Sequence, residues 1–596
     1  ISLNFAMFRR VFAEAERIGA GSGVRLRSSV LGFFDRFWQL ERLYQATQRY
    51  QPRWEPRFVC YRDAVSLPWT ALAMATAEGF LPSLELTRRD QRRRLKPADV
   101  ARVVNLQQDW THEIAEAIVA GGRRREVRTI PADVDAYPVC DFRPDSTIEA
   151  VLAEPAVPTR TVSLAGRVRH VRDHGAVIFI DLVDADARLQ VVLEAQSLGG
   201  RSAVRAAARA LRPGDLIGVS GRLGASRTGT GSLLAQSWSL QAKSVRPLAW
   251  RGFGQASGRS GDRTAELIVR PDRLANLRAR SRVTAALRSS LLAHGFTEVE
   301  TPILTAVHGG AAARPFRTFS NATHRELYLR IAPELHLKRL VVAGMGPVFE
   351  IGRNFRNEGV DATHNPEFTS VEAYRPFADY NDMRRLTEEI VRDVAIAVNQ
   401  RPAIPDGKGG WLDVDGDWAV VPMLDALSEA VGQRLDLDSD PDLLLDLARE
   451  AGVGVRGEMG PGAILEGLYG ELVEPRTVRP TFYIDFPQET SPLTRAHRSR
   501  PGLAERWDLV VGGLELGTAY SELTDPRDQR ERFTAQSLKA AAGDPEAMET
   551  DEDFLRSLEL GLPPTGGLGI GVDRLAMVIT GAPLRELLTF PFVPRA

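Results

Sequence analysis

The stretch from Val348 to Tyr374, VFEIGRNFRNEGVDATHNPEFTSVEAY, constrains the fold more than any other part of this 596-residue chain. Val348–Arg356 and Glu367–Tyr374 both read as strands, and the polar stretch between them is a loop long enough to close over a ligand. Because side chains alternate across a strand, Phe368, Ser370, Glu372 and Tyr374 share one face, and Thr369, Val371 and Ala373 share the other. One wall therefore carries an aromatic ring, a carboxylate and a phenol. A lone E-x-Y pair would be the polar outer face of an edge hairpin. Here, however, Arg356, Glu358, His364 and Asn365 lie in and beside the same loop. They supply donors and acceptors suited to a nucleotide, and Phe368 supplies a stacking surface.

The rest of the chain is too long for one ordinary core and divides into roughly three or four domains. Hydrophobic residues at 43% and charged residues at 26% are ordinary for globular protein and exclude a disordered chain. The first 85 or so residues mix aromatic-rich helical stretches with proline-broken extended ones, as in a mixed α/β fold. Residues 88–158 form a basic helical linker, with arginines dense from Arg88 to Arg128. That run is equally well a solvated helical face or an RNA-backbone patch. Residues 159–247 hold five short β-rich runs separated by Gly and Asp turns, which suits a small oligonucleotide-binding (OB) barrel. After a Gly/Ser-rich connector, residues 265–596 alternate helices and strands as one large α+β domain.

The formal net charge of -1 means that any nucleic-acid surface must come from local clustering. Cys60 and Cys140 stand alone, without a CxxC or Cys/His cluster, which argues against structural zinc and against a disulfide framework. A reducing cytoplasm is the expected compartment. No run reaches the roughly 18 apolar residues of a membrane span. The chain opens at Ile1 without an initiator Met, as a fragment of something longer would.

FRNEG and THNPEF resemble motif 2 of class II aminoacyl-tRNA synthetases, in the version carried by lysyl-tRNA synthetases. GFTEVETPIL, residues 295–304, resembles motif 1, the dimer-interface helix and strand, and GLGIGVDRLAMVITG, residues 567–581, resembles motif 3. The likeness covers about residues 105–596. It implies an antiparallel-sheet catalytic domain, a homodimer, and two catalytic arginines, Arg356 and Arg574, that neutralise charge on ATP as a carboxylate attacks the α-phosphate. It also implies that Glu358, His364, Asn365 and Phe368 hold ATP together with those arginines.

In RWDLVVGGLELGTAYSELTDP, a two-residue turn at Gly512–Gly513 would pair Val510 with Glu515 and Asp508 with Gly517. Asp508 and Glu515 then share a face and can hold Mg²⁺ against triphosphate oxygens. The synthetases that this chain resembles usually carry glutamate at the place of Asp508. Glu334, Glu372 and Glu522 match the acidic residues of the lysine pocket, with Tyr374 beside them. Thr518 stands at a lysine-binding position where asparagine is common. An ammonium is costly to bury unpaired, so three carboxylates suit lysine better than aspartate or asparagine.

By the same likeness the barrel binds the anticodon through Phe179 and Gln190, with Ser232 where a contacting glutamate is common. Residues 1–87 resemble the C-terminal part of bacterial phosphatidylglycerol lysyltransferases, with Arg49 where a lysine is frequent. The combination resembles the bifunctional lysylphosphatidylglycerol synthetases. The expected activity is therefore ATP-dependent attachment of L-lysine to tRNA(Lys), in support of lysyl-lipid synthesis. The expected location is the cytoplasm, or the membrane face through spans upstream of this chain. The competing readings are a protein lysyl ligase, against which the barrel argues, and an inactive RNA-binding paralogue, against which the retained site residues argue.

Overall fold

The computed structural model describes residues 137–139, 142–153, 160–226, 229–244, 248, 250, 263–455, 459–542, 544 and 546–592. The lysyltransferase-like segment and the arginine-rich run lie outside the described residues. The described chain forms two compact units, one ending at Ala275 and the other beginning at Asn276.

In the first unit β1 (Thr161–Asp173), β2 (Val177–Asp184), β3 (Ala187–Glu194), β4 (Leu216–Ala225) and β5 (Gly231–Ala242) close into a barrel in the order β1-β2-β3-β5-β4. This is the five-stranded barrel that the sequence predicts. Alternation fills its interior: Ile178, Ile180 and Leu182 of β2 and Leu189, Val191 and Leu193 of β3 are buried. Phe179, Asp181, Arg188 and Gln190 take the outward positions. The helix α1 (Ile148–Ala153) adds Ile148 and Val151 to this core, and α2 (Arg201–Ala210) adds Val204 and Ala207.

The second unit is built on an eight-stranded sheet. Its strands are β6 (Thr297–Glu298), β10 (Val348–Phe355), β11 (Glu367–Pro376), β14 (Ala419–Pro422), β15 (Thr481–Ile484), β16 (Arg506–Val511), β17 (Leu514–Ser521) and β18 (Thr565–Gly571). The order is β14-β15-β16-β17-β18-β11-β10-β6, antiparallel except at the two outermost pairs. Short strands β7 (Leu304–Thr305), β8 (Arg317–Ser320) and β9 (Arg325–Leu329) form a separate small sheet, and β12 (Ala403–Pro405) pairs with β13 (Trp411–Asp413).

One face of the large sheet is apolar and covered. Phe349, Val371, Ala373, Trp507, Leu509, Ala519, Leu568 and Ile570 pack with residues of three helices, α3 (Pro271–Ala293), α5 (Tyr380–Asn399) and α11 (Val572–Thr580). Asp379 starts α5 with a capping box: its carboxylate accepts from the Asn381 and Asp382 amides, and the Asp382 carboxylate accepts from the Asp379 amide. The residues between, such as Glu372, Tyr374, Asp508 and Thr518, fall on the other face by the two-residue period. The helix α4 (Glu334–Val342) packs with α9 (Pro526–Ala542) and α10 (Glu552–Leu558) through Leu337, Val341, Phe533 and Leu555.

Two details of the predicted strands are corrected. The strand β10 ends at Phe355, one residue before Arg356. Arg356 donates to the Pro366 carbonyl, but proline has no amide to return the bond, so the ladder stops there. In the β16–β17 hairpin Gly512 and Gly513 adopt φ of 60° and 76°, as a tight two-residue turn requires, and Val510 pairs with Glu515 as expected. Beyond that the register slips: Leu509 pairs with Gly517 and Asp508 with Thr518, not with Gly517. The extra residue is a β-bulge that turns Leu516 into the core. Glu515 and Thr518 thereby both stay on the face of Asp508.

Candidate active site

The polar face of β11, β17 and β18 carries a cluster of acids, two of them buried and Glu372 half-buried. Glu372 and Tyr374 rise from β11, and the Tyr374 hydroxyl donates to Glu372 Oε2 at 3.1 Å. Glu522 follows the end of β17 and is 1% exposed, anchored by its amide on the Thr565 carbonyl at 2.8 Å. Glu334, the first residue of α4, is 4% exposed. Gly567 makes room for them: a Cβ there would stand 1.8 Å from Glu522 Oε1. This is a packing reason for the Gly-rich entry of β18.

Lys338, one helical turn after Glu334, is fully buried among these acids. Its ammonium donates to Glu334 Oε1 at 2.6 Å and is in ion-pair contact with Glu522 Oε2. Glu522 Oε1 is buried and has no hydrogen-bond partner among the described residues. Burial pushes the Glu372 carboxyl up to about 8, with the Glu334 charge adding to it. Burial also raises Glu522 to about 8, against the pull of Lys338. Burial lowers Lys338, and the charges of Glu334 and Glu522 more than offset this, so its ammonium is held above the ordinary range.

A second group of residues gathers around the loop that joins β10 and β11. The Arg356 guanidinium lies 5.1 Å from the centroid of the Phe368 ring, and its Nε is buried without a partner. Arg574 of α11 donates to the Glu515 carbonyl at 2.8 Å and lies 2.8 Å from His364 Nε2. A guanidinium can only donate, so Nε2 is the acceptor and Nδ1 carries the hydrogen, which points at Asp361 Oδ2, 2.8 Å away. Asp361 is raised by burial, but bonds from the Thr363 amide and from His364 bring it down to about 2. Glu358 is exposed on the loop, and Asn365 donates its amide to the Glu367 carbonyl at 2.6 Å.

A third group stands on the β16–β17 hairpin. Asp508 is 3% exposed, and Arg506 donates to both of its oxygens at 3.1 and 2.7 Å. Burial pushes Asp508 up to about 6, with Arg506 drawing it down and Glu515 raising it. Glu474 is pushed up to about 8 by burial and then by Glu515 and Asp508. Asp508 and Glu474, each raised in part by the charge of Glu515, make the electrostatics of a cation site. Among the described residues no three acidic, His or Cys side chains converge as a complete ligand set. An ion held by Asp508 and Glu515 would need further oxygens from a nucleotide. The Thr518 hydroxyl donates to the Trp507 carbonyl at 3.1 Å.

On the barrel, Phe179 stands between Arg172, 5.8 Å from the ring centroid, and His174, 5.7 Å away edge-on. The Ser232 hydroxyl, 2% exposed, lies 3.0 Å from Gln190 Oε1 and 2.8 Å from the Thr230 carbonyl.

Sequence reasoning missed Lys338, Glu474, Arg506 and Asp361. Lys338 had a signal, since a cation four residues after Glu334 on a helix shares its face. Arg506 and Asp508 also share a strand face. Glu474, in a turn far from the hairpin in sequence, had none.

The family described as tRNA synthetases class II (D, K and N) matches residues 257–594. An OB-fold nucleic acid binding domain matches residues 162–248, and the C-terminal domain of phosphatidylglycerol lysyltransferase matches residues 1–61. The chain is 46% identical over 621 residues to the lysylphosphatidylglycerol biosynthesis bifunctional protein LysX of Mycobacterium marinum, covering 99% of this chain and 56% of that protein. The protein of the same name from Nocardia farcinica is 46% identical over 627 residues, covering 100% of this chain and 54% of that protein. That of Mycobacterium tuberculosis H37Rv is 45% identical over 627 residues, covering 99% and 53%. The chain thus spans about half the length of these curated relatives. Among the described residues no helix is long and apolar enough to cross a membrane.

Proposed function

Since this chain belongs to the family of class II tRNA synthetases that serve aspartate, lysine and asparagine, we propose that it is a lysine–tRNA ligase. The observation that carries the choice of amino acid is the acid cluster: buried Glu334 and Glu522 are grouped with half-buried Glu372, and Glu522 Oε1 is unpartnered. An aspartate or asparagine side chain would meet repulsion or unpaired carboxylates there, whereas lysine brings two ammonium groups.

In the first step a carboxylate oxygen of lysine attacks the α-phosphorus of ATP. The bond to the bridging oxygen breaks, and lysyl-adenylate and pyrophosphate form. Arg356 and Arg574 face the developing phosphate charge, preorganised by the Phe368 ring and by the Glu515 carbonyl and His364 respectively. Glu334, Glu372, Tyr374 and Glu522 hold the amino acid, and Thr518 borders it. Phe368 stacks on adenine, while Glu358, His364 and Asn365 complete the ATP site. Asp508 and Glu515 would hold Mg²⁺, which when bound supplies positive charge to the triphosphate. In the second step a terminal hydroxyl of tRNA attacks the lysyl carbonyl, and AMP leaves.

The barrel reads the anticodon through Phe179 and Gln190, and two chains pair through the motif 1 region. The lysyl-tRNA product feeds lysylphosphatidylglycerol synthesis in the longer protein, a reading supported by the relatives' names and by the lysyltransferase match at residues 1–61. A charged tRNA released beside a transferase is at high effective concentration. The test is pyrophosphate exchange with each of the twenty amino acids. Exchange driven by lysine is the expected result, and exchange driven by another amino acid alone would overturn the assignment.

A further inference from the structure

Five of the 76 Lys and Arg residues in this chain are lysines. A chain that uses arginine for nearly every cation nevertheless keeps a lysine at a fully buried position in the acid cluster. The two cations differ in shape: a guanidinium is a planar fork, whereas an ammonium is compact with three diverging donors. Lys338 Nζ meets three acceptors from three parts of the fold. These are Glu334 Oε1 at 2.6 Å, the Leu493 carbonyl at 3.5 Å, and Glu522 Oε2 in ion-pair contact.

Each carboxylate therefore has one oxygen committed to Lys338 and one left over. Glu334 Oε2 has no partner among the described residues, and Glu522 Oε1 is buried without one. Glu334, Glu372 and Glu522 set three carboxyl groups against one internal ammonium, so the cluster has acceptors to spare for a cationic ligand.

We propose that Lys338 is a positioning and specificity-determining residue of the amino-acid pocket, stapling Glu334 to Glu522 so that their second oxygens face a substrate with two ammonium groups. The proposal rests on the lysine reading given above. Without Lys338 the two buried carboxyl groups would lose the ammonium between them, and the proton that burial already favours would be held more firmly. A neutral carboxyl would then meet an ammonium, while the nucleotide side of the site would be untouched. Norleucine, which lacks the second ammonium, would leave a carboxylate unpaired in the native pocket and gain relative to lysine once Lys338 is gone.

The experiment compares the unsubstituted chain with Lys338→Met and Lys338→Arg by calorimetric binding of free lysine, norleucine and ATP, with melting temperatures as the check on folding. Lysine should bind about 10²-fold more weakly to the Met variant and about tenfold more weakly to the Arg variant, as expected for an unbalanced buried pair. ATP affinity should stay within about twofold, and the ratio of lysine to norleucine affinity should fall. Unchanged lysine affinity in a folded Met variant would overturn the proposal, as would a parallel loss for lysine and ATP. If the Met variant does not fold, the Arg variant decides by the same two criteria. An unsubstituted chain that binds lysine but shows no lysine-driven pyrophosphate exchange would overturn the ligase reading alone. One that does not bind lysine would overturn both.

Discussion

At the scale of single residues, the site depends on charges held in place by partners that do not react. Arg574 illustrates this: its position is set by the Glu515 carbonyl and by His364, and His364 is in turn oriented by Asp361. Replacing Arg356 or Arg574 with alanine should lower lysine-driven pyrophosphate exchange by about 10²- to 10³-fold, since in the proposed mechanism each is a donor aimed at developing charge. Near-normal exchange in both variants would remove them from the catalytic machinery. Asp361→Ala should act more mildly. It frees the His364 ring to turn and to take the tautomer with its hydrogen on Nε2, which would oppose Arg574, so KM for ATP should rise about tenfold while KM for lysine holds. Equal changes in the two KM values would indicate that the loop merely loses its fold.

At the scale of elements, the β16–β17 hairpin does most to shape the site, and it does so through an irregularity. The bulge at Leu516 turns an apolar side chain into the core and keeps Glu515, Asp508 and Thr518 on one face. Asp508→Asn combined with Glu515→Gln should raise the Mg²⁺ concentration needed for exchange, because both side chains lose charge while the hairpin keeps its shape. A Mg²⁺ titration that coincides with that of the unsubstituted chain would count against the metal role. Arg506, bonded to both Asp508 oxygens, is expected to keep the hairpin folded when no cation is present.

At the scale of the whole molecule, the acid pocket ties stability to pH and to the substrate. Glu372 and Glu522 titrate near 8 in the folded chain, far above the ordinary carboxyl range, so the folded state binds protons that the unfolded state has released. Stability from these groups is therefore present below about pH 5 and is lost as pH rises through 8. The melting temperature without lysine should fall between pH 6 and 8.5. On the proposed reading lysine pairs with the ionised carboxylates, so its KM should fall over the same range and the stabilisation by saturating lysine should grow. A lysine KM that is flat from pH 6 to 8.5 would contradict this picture.

Much of this protein was legible in the sequence because its signals are local. Two-residue alternation separated Glu372 and Tyr374 from Val371 and Ala373, glycine pairs marked the hairpin turn, and five short strands with polar turns announced the barrel. What required the tertiary structure was whatever depends on distances between remote segments. Glu474 reaches the hairpin acids from a turn between elements, and Lys338 meets Glu522 only because α4 packs beside the end of β17. The bulge at Leu516 came from core packing, which outweighed the regular register that a two-glycine turn predicts. Local pattern determines which face a side chain takes, since that follows from backbone periodicity. Which charges end up sharing one buried space is decided by packing, because only packing removes the water that would otherwise screen them.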